Sequence, residues 1–227
     1  FYTYDLKGAQ KLLAEAGWTR NETTGQLEKD GIPFVFTFLS RGSSEDKFLA
    51  PFDHALRMCG IAMTIARKDF AGWMRDMDDF NFDMTWASWG AALIRSPEQM
   101  WLSSEADRKG SNNITGFKSD RVDELIHREK RLTDMAERCK VYREIDALVA
   151  EQVPYAFLWH VDETRLLYWN KFGMPRTVLD RYMNEEAVLT YWWYDEDRAR
   201  ELEEAMAHHR CLPSVPERVD YDEEMSK

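Results

Sequence analysis

Between residues 33 and 66, two short β-prone runs flank a single amphipathic helix, and that order narrows the folds open to this chain. Residues 33–39 alternate so that Phe34, Phe36 and Phe38 share one face, the period of a strand. Ser43 or Ser44 then opens a helical pattern carrying Phe48, Phe52, Ala55, Leu56 and Cys59. Gly60 closes it with the residue that most easily takes a left-handed cap. Residues 61–66 form the second strand. One crossover helix between two strands implies that they run parallel, in an α/β sheet.

The flanking segments fit the same plan. Residues 5–18 read as a short helix with Asp5 at its N-cap, Ala9, Leu12, Leu13 and Ala16 at helical spacing, and Gly17 as C-terminal cap. A polar stretch, 19–30, ends in the turn dipeptide Asp30-Gly31. Asp69 is placed to cap a third helix through Trp73 and Met77. Residues 82–87 are strand-like and run directly into Ser88-Trp89-Gly90-Ala91-Ala92. Loops leaving the carboxyl ends of strands are where open α/β sheets collect ligands. Two amphipathic helices are expected over 119–132 and 133–152, stopped by Pro154. Residues 155–170 and 188–194 are aromatic and β-prone, without helical period. From Glu196 onward the chain is charged and reads as a helix followed by a loose tail.

Charge removes several function classes. Lys and Arg total 30 against 41 Asp and Glu, a net charge of −11, which repels nucleic-acid backbones and anionic membranes. No apolar run approaches the roughly 18–20 residues of a membrane span. The first residues, Phe1-Tyr2-Thr3-Tyr4, show no signal-peptide pattern. Cys59, Cys139 and Cys211 form neither a disulfide framework nor a zinc pattern, and the first two read as buried thiols within helices.

Catalytic motifs are sparse. None of the five histidines lies in an HExxH arrangement, and His208-His209 reads as solvated surface. His160-Val161-Asp162 puts two polar side chains on one face of a strand, which suits either an oriented imidazole or a hydrogen-bonded histidine without catalytic role. No Gly-rich phosphate loop, nucleophile elbow or spaced carboxylate pair is present. Aromatic residues carry more information. Nine tryptophans exceed what a core of this size requires, and surplus Trp often lines clefts. Trp86 and Trp89 flank the small residues at a strand end, and Phe70 and Trp73 lie on the preceding helix. Large rings beside small residues suit a cleft that stacks an extended ligand; the same rings could equally pack the sheet.

At this point the sequence resembles a known family. The helix signature Tyr4-Asp5-Leu6, Ala9, Leu12-Leu13, Glu15-Ala16-Gly17-Trp18 is similar to that of family 5 extracellular solute-binding proteins. Gly60-Ile61, Phe82-Asp83-Met84, Ser111-Asn112-Asn113-Ile114-Thr115-Gly116-Phe117 and Val122-Asp123-Glu124-Leu125-Ile126 follow in that family's order. The stretches Tyr168-Trp169-Asn170-Lys171-Phe172-Gly173-Met174-Pro175 and Thr190-Tyr191-Trp192-Trp193 resemble its Yej-type branch of oligopeptide and microcin C binders.

The resemblance implies an α/β, two-lobed type II periplasmic binding protein, of which this chain would be the C-terminal portion. Residues 1–154 would form most of the distal ligand-binding lobe, 155–195 the crossover and return strands into the first lobe, and 196–227 a charged helix and tail. It implies a non-enzymatic component of an ABC importer, exported to the periplasm or anchored by lipid outside the cell. The partners would be a peptide or peptide-like ligand and the membrane permease subunits, with no nucleic acid, no cofactor and a monomeric state. Trp89 falls where relatives place a cleft tryptophan, and Phe70 near another aromatic cleft position. The acidic residue that many relatives carry three positions later, for a peptide's ammonium group, is here Ala92. Arg95 offers a forked donor for a ligand carboxylate or phosphate instead. Trp86, Ser88, Asn112 and Asn113 complete the candidate ligand-binding set. Two rivals remain open at this stage: a hydrolase using His160 and Asp162, and a truncated remnant that binds no solute.

Overall fold

The computed structural model describes residues 3–90, 92, 95–183 and 185–226. The chain divides into two compact units, Phe1–Ser88 with Ser96–Pro154, and Trp89–Arg95 with Tyr155–Lys227.

The first unit opens with helix α1 (Leu6–Glu15), whose N-cap Asp5 accepts a hydrogen bond from the Gly8 amide at 2.9 Å. Gly17 adopts φ +88°, as its capping position requires. The polar stretch that follows is not a plain loop. It forms an antiparallel sheet of β1 (Thr19–Arg20), β2 (Leu27–Lys29) and β3 (Ile32–Pro33). Asp30 and Gly31, both at positive φ, turn β2 into β3, the geometry that matches the twist of paired strands. Trp18 stacks on Phe34 at 4.4 Å, and Leu27, Cys59 and Ile61 bury beneath α1 with Leu6 and Leu13.

The strand–helix–strand unit is as expected. Strand β4 (Val35–Ser40) pairs parallel with β5 (Ala62–Arg67), joined through α2 (Asp46–Cys59) and a preceding 3-10 turn, Ser43–Glu45. Gly60 ends α2 at φ +85°. After β5, Asp69 caps α3 (Phe70–Asp78) by accepting from the Gly72 amide at 2.7 Å. Strand β6 is only Met84–Thr85, shorter than the 82–87 run suggests, and lies parallel on the other side of β4, giving the order β5-β4-β6. Its shortness has a local cause. The Asp83 carboxylate accepts the Thr37 amide at 2.8 Å, so a side chain stands where a main-chain partner would continue the ladder. Phe38, Leu49 and Met63 bury between α2 and the sheet.

Short α4 (Glu98–Trp101) leads to a helical hairpin, α5 (Asp120–Glu129), capped by Ser119, and α6 (Met135–Glu151), capped by Asp134. Val122, Leu125 and Ile126 meet Val141, Ile145 and Val149 to form the largest apolar cluster. Glu129, only 2% exposed, accepts from Arg138 Nε at 2.7 Å and from the Tyr142 hydroxyl at 2.6 Å.

The second unit departs from its expected strands. Residues 156–169 form no strand or helix. A β-prone run becomes a strand only when a ladder partner meets it, and none does among the described residues. Residues 188–194 split into a helical turn, α7 (Val188–Tyr191), and β8 (Trp193–Tyr194), which pairs antiparallel with β7 (Phe172–Gly173). Trp192 packs edge-on to Tyr168 at 4.7 Å and donates to the Val178 carbonyl at 2.9 Å. Helix α8 (Glu196–Ala207) follows. The tail is not loose: α9 (Tyr221–Met225) is tied by Arg181 to Asp222 and by Arg176 to the Glu224 carbonyl.

Candidate functional site

In the first unit, the parallel strands β4, β5 and β6 all end on one edge, at Ser40, Arg67 and Thr85. The chain leaves that edge as Arg41–Ser44, Lys68–Phe70 and Trp86–Ser88, so the edge is lined by Arg41, Phe70, Trp73 and Trp86. Phe70, 64% exposed, stacks on Trp73 at 6.0 Å and 26°. Trp73 is fixed from below: its Nε1 donates to Thr85 Oγ1 at 3.2 Å, and that hydroxyl donates to the Leu39 carbonyl at 2.9 Å. Helix α3 is thereby held to the sheet by its ring nitrogen. Trp86 is half-buried, stacked on Phe48 at 5.7 Å and packed against the Phe38–Leu49–Met63 cluster, so it forms a wall with its body in the core. Ser88 is exposed.

Behind this edge lies a polar arrangement that no sequence motif signals. Glu45 is 5% exposed, and the fully buried Ser40 hydroxyl donates to its Oε2 at 2.6 Å. Its Oε1 has no hydrogen bond among the described residues but stands 3.3 Å from Arg41 Nε. The Arg41 guanidinium also lies over the Trp73 ring, 5.8 Å from the centroid. Arg41 was legible only as the residue after a strand end, and its partners are assembled by the fold.

The two asparagines serve different ends. Asn112 is exposed, and its amide donates to Gln99 Oε1 at 3.2 Å. Asn113 is 1% exposed and fully engaged: it donates to the Leu102 and Phe117 carbonyls at 3.3 and 2.9 Å, and accepts the Phe117 amide at 3.0 Å. Those bonds shape the 111–117 turn and leave Asn113 nothing to offer a ligand, a correction to its place in the candidate set. Two shallow hollows complete this unit. One, about 410 Å³, is lined by Thr37, Leu39, Lys68, Asp76, Phe82 and Asp83, and the other, about 360 Å³, by Pro97, Trp101, Tyr142, Arg143 and Asp146.

Trp89 and Arg95 belong to the second unit. Trp89 is 39% exposed, with the Arg95 guanidinium 5.9 Å above its ring. Its side chain hydrogen-bonds Tyr155, whose phenol is pushed up by burial and partly restored by that bond. Arg95 Nη2 donates to the Gly90 carbonyl at 2.8 Å, which spends part of its fork on its own loop. Of the Ser88–Ala92 run, Ala91 lies outside the described residues. His160 and Asp162 are both exposed, and no hydrogen bond or ion pair joins them among the described residues, so the general-base pair is not assembled. Nor, among those residues, do three or more His, Cys, Asp or Glu side chains converge as a metal site. Cys59 is buried, which pushes its thiol up, and Cys139 is half-buried.

Open parallel sheets collect ligands at their carboxyl edge, and here that edge carries aromatic side chains. Residues 1–111 match the family model "Bacterial extracellular solute-binding proteins, family 5 Middle". The uncharacterized protein YejA of Escherichia coli is 29% identical over 208 residues, covering 88% of this chain and 33% of that protein. The oligopeptide-binding protein AppA of Bacillus subtilis is 27% identical over 179 residues, covering 78% and 32%. The AppA structure, in complex with a nonapeptide, superposes with a TM-score of 0.61 at 25% identity, over 67% of this chain and 31% of that one. The fold is thus that of the type II periplasmic binding proteins. Within that class, the chain is similar to the family 5 extracellular solute-binding proteins, whose model matches residues 1–111, just under half of its length. It spans about a third of the length of the curated relatives it matches.

Proposed function

We propose that the protein serves as the solute-capturing component of an ABC importer, taking peptides or peptide-like ligands. Phe70, Trp86, Ser88, Trp89, Arg95 and Asn112 would furnish ligand contacts from this chain. The observation that carries the reading is the likeness to AppA, whose structure holds a nonapeptide, over 67% of this chain. In a two-lobed fold, ligand would favour the closed state by its higher affinity for it, and the closed form would be read by the permease. Main-chain hydrogen bonds would supply affinity across many sequences while roomy aromatic pockets tolerate side chains. A periplasmic or extracellular location, a monomeric state and the lack of a catalytic step belong to the same reading.

Tryptophan emission during titration with a mixed di- to hexapeptide library tests it. The expected result is a saturable change whose apparent affinity falls about tenfold, or about 1.4 kcal/mol, on Trp89→Ala. Absence of any saturable change, in protein shown to be folded by circular dichroism, would move the ligand class away from peptides.

A further inference from the structure

We propose that Tyr155 is a positioning residue for solute capture, its phenol oxygen fixing the Trp89 indole so that the ring meets the ligand in one preset orientation. Arg95 braces the same ring from its face. The inference rests on the solute-binding reading, in which Trp89 touches the ligand, and adds the residue on which that contact depends.

Trp89 is 39% exposed, so burial alone does not set the direction of its ring. Contacts from two parts of the chain do. At the ring's edge, the side chain hydrogen-bonds that of Tyr155. Indole carries a donor and no acceptor, so the nitrogen donates and the phenol oxygen accepts. Tyr155 is itself half-buried, and its ring stacks on Phe157 at 6.4 Å and 23°. Over the face of the indole, the Arg95 guanidinium stands 5.9 Å from the ring centroid. Arg95 is held there by its own bond, Nη2 donating to the Gly90 carbonyl at 2.8 Å. Trp89–Arg95 groups with Tyr155–Lys227 although residues 96–154 intervene in the chain. The bond between Trp89 and Tyr155 joins these two segments within the second unit.

Each contact has a consequence for binding. A tryptophan side chain turns about two torsions, and a bond at the ring's edge together with a cation over its face restrains both. A ring ordered before the ligand arrives loses less freedom when it binds. For one side chain that difference is on the order of three- to tenfold in affinity. Packing against Phe157 needs only the ring of Tyr155; the bond to Trp89 needs its hydroxyl. A tryptophan that served packing alone would turn its ring inward. This one is anchored at edge and face and still keeps a large part of its surface open to solvent. That combination, a fixed ring with an open remainder, is what a stacking platform requires.

The test measures affinity by calorimetry with the mixed di- to hexapeptide library as probe, since emission itself changes whenever Trp89 is replaced. Tyr155→Phe should weaken binding about three- to tenfold in the parent. It should have no effect in a Trp89→Phe background, where no indole N–H remains to be held. Tyr155→His, whose ring nitrogen accepts an N–H, should recover part of the loss. The bond also has a signature of its own. In protein carrying isotope-labelled tryptophan, the indole N–H resonance that Trp89→Phe abolishes should shift and exchange faster in Tyr155→Phe. Should Tyr155→Phe fail to fold, the same cycle is run with Tyr155→His, whose smaller loss must likewise vanish without the indole. Unchanged affinity in Tyr155→Phe, or an equal loss in the Trp89→Phe background, overturns the role of Tyr155 and leaves the peptide reading standing. An indole resonance indifferent to Tyr155→Phe does the same. Absence of peptide binding by the folded parent overturns the peptide reading and this role with it.

Discussion

Gly60 shows how one residue can hold two elements together. It ends α2 at φ +85°, and its carbonyl accepts the Leu27 amide of β2 at 2.7 Å. A Cβ there would stand 3.0 Å from the Gly25 carbonyl oxygen and 3.1 Å from the Leu27 nitrogen. A left-handed conformation alone costs a side-chain-bearing residue about 1–2 kcal/mol. Gly60→Ala is therefore expected to lower unfolding stability by at least about 1 kcal/mol, read as a lower urea midpoint. A change within a few tenths would mean the backbone relaxes freely there. Tyr142 makes a second prediction. Its phenol is pushed up first by burial and then by its bond to, and the charge of, Glu129. The folded protein therefore keeps that proton at pH values where the unfolded chain, near the ordinary value of about 10, releases it. Stability from this group is complete below about pH 10 and is lost as pH rises toward the folded value. Tyr142→Phe should be less stable than the parent at pH 8 by about 1 kcal/mol, the worth of a hydrogen bond. The gap should narrow above pH 10; a gap that stays constant would show that the phenol does not titrate with unfolding.

Elements differ in how much of their form is written locally. The caps at Asp5 and Asp69, the stop at Gly60 and the Asp30-Gly31 turn each follow from chemistry within four residues, and all four are where the sequence puts them. The parallel pairing of β4 and β5 was legible too, because one crossover helix leaves little choice of direction. Strand extents were not. β1 to β3 hide in a polar stretch because two- and three-residue strands carry too little periodicity to read, and 155–170 reads as strand because propensity ignores whether a partner exists. The candidate site divides the same way. Phe70 and Trp86 could be placed at strand ends from order alone, whereas Arg41 depends on Trp73, thirty-two positions away and brought near by the fold. Asp83 gives the element-scale test. It caps the Thr37 amide in place of a main-chain partner. Asp83→Ala should cost about 1–2 kcal/mol through that orphaned amide. It should also speed hydrogen exchange at Thr37 and leave the far end of the strand, at Val35, little changed. Unaltered exchange at Thr37 would mean that water replaces the carboxylate without penalty.

Across the whole chain, apolar burial is unevenly shared, and that sets where the molecule resists opening. The unit containing β4, β5 and the α5–α6 hairpin holds three apolar clusters, with Val122 and Ile126 fully buried and Val141 nearly so. The other unit buries mainly small side chains, Ala187, Ala199 and Ala205 with Leu179, while Phe157 and Leu167 stand exposed. Burial of large side chains at roughly 25 cal/mol per Å² is what makes local opening costly, so protection should follow those clusters. Amides of α6 around Val141–Val149 and of β4 around Phe38 are expected to exchange slowest, approaching global unfolding. Those of residues 156–169, which form neither helix nor ladder, should exchange within seconds. The measurement is hydrogen–deuterium exchange by mass spectrometry with peptides covering both regions. Addition of a bound solute should slow exchange at the strand end 68–73, if Phe70 touches it, without altering the α5–α6 hairpin. Protection of 156–169 equal to that of α6 would show instead that this aromatic run pairs as a strand in solution, as its composition suggests, and that the second unit resists opening as strongly as the first.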